Sequence, residues 1–208
     1  MNHPKSRGKL GIILAATLVL SGCGTSPPPR YHALSLPAEQ QASGRARMLV
    51  EILPIALPER LNREEMVLTG ESGQLDVREN DRWAAALPDE IRQIVTDTLW
   101  RTLWAADVYR VPVPVEASAP QYRLALRIER FEAIPGKTAQ VEGSWTARRL
   151  PRGAPVVCRA NFTIALPGRT PEAAAAALAV GAGQLALALA DSLGGLTQDK
   201  ADTCAGSR

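Results

Sequence analysis

The chain offers few groups able to do covalent chemistry. It has two histidines, His3 and His32, and three cysteines, Cys23, Cys158 and Cys204. A Ser-His-Asp or Cys-His hydrolase needs a base beside its nucleophile, and His32 stands alone next to a Pro-rich stretch. No G-x-S-x-G elbow, H-E-x-x-H pair, P-loop or G-x-G-x-x-G turn occurs in the sequence. Glu64-Glu65 and Asp89-Glu90 fit turn and helix-start charges better than an acid–base pair. The expectation is a protein that binds or scaffolds, with no catalytic residue, no metal and no cofactor.

Cys23 has the clearest chemistry. A basic head carrying Lys5, Arg7 and Lys9 precedes the apolar run Leu10–Leu20, the layout of an export signal too short to span a bilayer. Leu20-Ser21-Gly22-Cys23 resembles the lipobox of bacterial lipoproteins. The Cys23 thiol would take a diacylglycerol thioether, and its amine, freed by cleavage, would be acylated in turn. Three acyl chains exceed the two signals that stable anchoring requires. Residues 1–22 are thus read as the signal and 23–30 as the lipidated cysteine with its tether. Pro27–Pro29 favour extended geometry, so the tether reaches roughly 20 Å.

Removing the signal changes the meaning of the charge. The +3 balance of the whole chain lies entirely in that segment, which leaves 21 basic against 21 acidic residues. A nucleic-acid partner is therefore not expected, and along the sequence the two signs are interspersed. Cys158 and Cys204 belong to an exported chain and can form a disulfide. They either bridge the last strand to the tail or stand as one buried and one free thiol. No C-x-x-C pair supports zinc or thioredoxin-type chemistry.

The elements that would position these groups are legible in part. Arg47–Ile55 is apolar with one internal acid and reads as a buried strand, stopped by Pro54 and Pro58. Glu65–Thr69 and Gln74–Arg78 read as a hairpin turning through Gly70 and Gly73. Leu87-Pro88-Asp89-Glu90 opens a helix whose stripe runs through Ile91, Ile94, Val95, Leu99 and Leu103. Trp100 and Trp104 lie one turn apart at its margin. Three alternating segments follow, around Tyr122–Ile128, Val141–Ala147 and Cys158–Leu166, with polar outer faces and an antiparallel meander implied. Thr170-Pro171-Glu172 caps a long Ala-rich helix to about Leu193, ended by Gly194-Gly195. The fold class is α+β: one domain over 31–196, a largely antiparallel sheet with two main helices on one face, then a disordered tail over 197–208.

Several residues in series carry a resemblance. Tyr31-His32-Ala33-Leu34 is followed by Val50-Glu51-Ile52-Leu53-Pro54-Ile55-Ala56-Leu57-Pro58. Leu61-Asn62-Arg63, Met66-Val67, Asp81-Arg82-Trp83-Ala84 and Leu87 come next. The order resembles the PqiC-like auxiliary lipoproteins of ABC-type transporters, which accompany MCE-domain lipid transport systems. Two departures stand out: Ala85-Ala86 replaces the family's Glu-Pro, and the aromatic common near Arg60 is missing. The resemblance implies a periplasmic domain anchored to the outer membrane, a partner MCE protein with its inner-membrane ABC permease and ATPase, and self-association in a ring. A partner surface is expected on the Pro54–Arg63 loop and the Arg82–Leu87 segment, where apolar and proline residues fall outside regular elements: Pro54, Leu57, Pro58, Leu61, Arg63, Arg82, Trp83 and Leu87. Turn and core packing is the competing reading of those residues. The competing function is a lipoprotein that regulates a cell-wall synthase or an envelope assembly machine, and direct carriage of lipid in a cavity ranks below docking.

Overall fold

The structure, a computed structural model, describes residues 27–36, 43–111, 119–198 and Cys204. Cys23, the signal and most of the tail lie outside the described residues. Eight strands, a 3-10 turn and two long helices follow one another. They are β1 (Arg30–His32), β2 (Met48–Ile52), the turn Glu59–Leu61, β3 (Glu65–Thr69), β4 (Leu75–Trp83) and α1 (Leu87–Leu103). Then come β5 (Ala105–Asp107), β6 (Gln121–Ile134), β7 (Thr138–Arg149), β8 (Val156–Ala165) and α2 (Pro171–Thr197).

The alternating second half forms the antiparallel β6-β7-β8 meander of a five-stranded sheet ordered β5-β2-β6-β7-β8. Its inward residues Tyr122, Leu124, Leu126, Ile128, Val141 and Trp145 are all buried. The first half is less regular. β2 lies parallel to both β5 and β6, and β1 lies parallel to β4 in a second sheet ordered β1-β4-β3. The sheets are therefore mixed, with the long pairings antiparallel and the short ones parallel. β2 is buried along its inner positions because neighbours flank it on both sides, which explains its nearly unbroken apolar sequence.

α1 starts with Pro88 in its first turn and Asp89 and Glu90 at its positive end. It stops at Trp104, which adopts the left-handed conformation at φ 54° and returns its amide to the Leu99 and Trp100 carbonyls. α2 is capped by Thr170, whose side chain accepts from the Ala173 amide. It runs past Gly194-Gly195 to Thr197, because Gly195 is buried and Gly194 faces Leu103 of α1. Packing between the helices outweighs the local preference of two glycines to end one.

By length and composition α2 could cross a membrane, yet most of it is buried inside the fold. Its small residues permit the approach. A Cβ at Gly181 would sit 2.7 Å from Val141 Cγ2, so only glycine fits where the helix meets β7. Gly143 on β7 leaves similar room for Leu185. Cys158 of β8 and Cys204 are joined by a disulfide with Cα atoms 5.5 Å apart, so the chain beyond α2 returns to the start of β8. Tryptophan 83 closes the junction between the sheets, edge-on to Phe131 at 6.3 Å.

Candidate functional site

Where the tether joins the fold, three side chains meet on a buried carboxylate. β1 and β4 run in parallel register, Arg30 opposite Asp81 and His32 opposite Trp83. This places His32 Nε2 at 2.9 Å from Asp81 Oδ1, while Arg30 donates to Oδ2 at 3.0 Å and lies 2.8 Å from Oδ1. The side chains of His32 and Asp81 are 7% and 3% exposed, so the pair is shielded from water. Arg78 Nε approaches Asp81 at 3.8 Å, and the outer side of Arg30 faces Glu172 of α2 at 3.7 Å.

Burial would push the Asp81 carboxyl up. The hydrogen bonds from His32 and Arg30, with the Arg30 charge, outweigh burial and hold it below the ordinary carboxylate range. The same hydrogen bond and charge raise Arg30 above its ordinary value. Glu172 is held low by its own backbone amide in the first turn of α2 and by the Thr170 hydroxyl.

Donor atoms of His32, Asp81 and Glu172 lie within 4.8 Å of one another, a set that could hold a metal. The cation actually placed among them is the Arg30 guanidinium, which takes up the oxygens a metal would need. The chemistry of the cluster is therefore a latch. It fixes the three-residue strand β1, and with it the Pro27–Pro29 segment before it, to the body of the domain.

The partner residues expected from the sequence divide between surface and core. Glu65 pairs with Arg82 in register and the Trp83 amide donates to the Glu64 carbonyl, so the Leu61–Glu65 and Arg82–Leu87 segments run side by side. Leu61, Trp83 and Leu87 are 5%, 5% and 2% exposed. These three are core residues, a correction to the expectation that they face a partner: their apolar bulk is sealed under the junction of sheet and helix. Leu57 and Pro58 are half-buried, with Leu57 packed on the core. Pro54 and Arg63 are exposed, Arg63 beside Glu65, and half-buried Arg82 pairs with Glu64. Trp104 is half-buried under the Arg47 guanidinium, 5.6 Å from its ring.

Sequence reasoning missed Asp81 as a site residue. Its only local signal was membership of the Asp81-Arg82-Trp83-Ala84 motif, since His32 is 49 positions away.

The fold defines a single α+β domain whose first strand is held to its body by the Arg30–His32–Asp81 cluster. The chain belongs to the family of ABC-type transport auxiliary lipoprotein components, which it matches over residues 32–190. It is thus a lipoprotein component of transport systems. Among solved structures, a protein of Xanthomonas campestris is 20% identical with a TM-score of 0.58, over 83% of this chain and 96% of that one. A crystal structure of an uncharacterized protein gives 16% and 0.65, over 80% and 99%. At these identities the likeness concerns the fold. No curated protein matches the sequence at a significant level.

Proposed function

We propose that this protein is a non-catalytic subunit of an ABC/MCE-type intermembrane lipid transport system, held on the periplasmic face of the outer membrane by lipid on Cys23. It docks the MCE component there and supports envelope integrity. The observation that carries this reading is membership of the transport auxiliary family together with the lipobox before a Pro-rich tether. The latch supports it: a domain that must meet a partner gains from a fixed junction with its anchor, and Arg30 and His32 supply one. Gly24 after the lipidated cysteine suits outer-membrane sorting. The side chains proposed to touch a partner are now Pro54, Leu57, Pro58, Arg63 and Arg82. Self-association into a ring belongs to the same reading, and sedimentation of the full chain in detergent measures it.

The test is recovery from membranes after mild crosslinking. An MCE protein or an ABC permease recovered with the full-length lipoprotein is the expected result. Recovery of peptidoglycan synthases alone would overturn it.

A further inference from the structure

The fold sorts charges that the sequence intersperses. Among the described residues, six arginines have no ion pair: Arg45, Arg47, Arg127, Arg148, Arg149 and Arg152. All but Arg127 belong to one end of the five-stranded sheet. β2, β5, β6 and β8 begin at that end and β7 finishes there, as the pairs Met48–Ala105, Leu49–Gln121, Tyr122–Arg149 and Ala147–Val156 show. Arg148 lies on the outer face of the sheet directly beside Arg123. Arg149 and Arg152 flank the turn into β8, and Arg45 and Arg47 lead into β2.

Apolar side chains stand exposed at the same end. Val157 is 70% exposed and Val111 59%. Both helices also finish there, and their carbonyl ends accommodate part of the positive charge. That accounts for Arg47, beside Trp104 at the end of α1, but not for Arg148 and Arg149 on β7 or Arg152 in the turn after it.

At the opposite end the basic groups are matched. Arg30, Arg60, Arg63, Arg78, Arg82, Lys137 and Arg169 each have a carboxylate partner. The tether enters at that end, because Arg30 faces Glu172 in the first turn of α2. α2 then runs back beside β8 to the arginine end, where Ser192 meets Cys158. Its 27 residues span about 40 Å. The unmatched arginines therefore lie about a helix length from Arg30.

We propose that this arginine end is a docking surface for an acidic face of a partner protein. Charge complementarity argues for the occupant: unpaired guanidiniums around exposed apolar side chains steer and seat a carboxylate-rich surface. Position argues for protein over bilayer, because the surface lies at the end of the domain opposite Arg30, where the proposed tether begins. The inference rests on the transport reading above and names a contact surface for it, separate from the Pro54–Arg82 region near the tether.

Photocrosslinking of the full-length lipoprotein in cells tests it. A photoreactive phenylalanine analogue is placed at Val157, and in a second strain at exposed Leu75 near the tether end. The Val157 position should link to a protein whose crosslinked peptide is rich in Asp and Glu. The yield should fall about tenfold with Arg148→Glu, Arg149→Glu and Arg152→Glu combined, and less with the three Gln substitutions, which keep the shape. Linkage of Val157 to phospholipid, no linkage there, or a yield unchanged by charge reversal would overturn the proposal. An acidic partner at Val157 that is no transport subunit would leave the surface standing and remove the transport reading. Transport subunits linked only at Leu75 would do the reverse.

Discussion

Asp81 shows how one residue can fix the first strand of a domain to its body. Its carboxylate is buried, so it persists as a charge only because His32 and Arg30 compensate it. Asp81→Asn removes that charge and should lower stability by about 1–3 kcal/mol in urea unfolding. The loss should depend on pH. The folded carboxyl titrates below its unfolded value, near 3.9, so its stabilisation is complete above that pH. It disappears as pH falls through the lower folded value, and the gap between wild type and Asp81→Asn should close as pH is lowered below about 4. A gap that stays constant from pH 7 to pH 3 would contradict the latch. The sequence exposes little of this. His32 reads as an isolated histidine because its partner arrives through a parallel pairing of distant strands, which leaves no local pattern.

Elements were legible in proportion to their length and regularity. β7, β8 and α1 carry strong periodicities, and the sequence places them to within a few residues; β6 starts where expected but runs on past Ile128 to Ile134. β1 and β5 are three residues each, paired in parallel by contacts far apart in the chain, and no alternation can develop over so short a run. The end of α2 misled for another reason, since its glycines pack against α1 and continue the helix. That close packing gives a prediction: Gly181→Leu forces new atoms into Val141 and should destabilise by about 1–3 kcal/mol. Leucine at exposed Gln184, one turn away, should stay within about 0.5 kcal/mol of wild type by the same urea assay. The chain end returns to β8 through Cys158 and Cys204, closing a separation of 46 residues. Cys204→Ser should therefore cost about 2–4 kcal/mol under non-reducing conditions. Equal unfolding midpoints with and without the cysteine would refute that contribution.

The whole molecule is polarised, and this property is hidden in composition. Residues 23–208, with equal numbers of acids and bases, read as evenly solvated, yet folding gathers unpaired arginines about 40 Å from Arg30. The partner residues chosen from sequence motifs divided for a related reason. Motif positions such as Leu61, Trp83 and Leu87 carry the fold, whereas the free charges fall outside the motifs. Anchoring is a property of the same scale. Cys23→Ala should abolish labelling with radioactive palmitate and leave the signal uncleaved, whereas normal processing of the variant would sink the lipoprotein anchor. The central claim is that this domain serves a transporter from the membrane surface. Its most direct measurement is mass spectrometry of complexes crosslinked in cells and purified through the full-length lipoprotein. The account predicts an MCE protein or ABC permease in the product. Its absence under crosslinking that captures other envelope complexes would contradict the account.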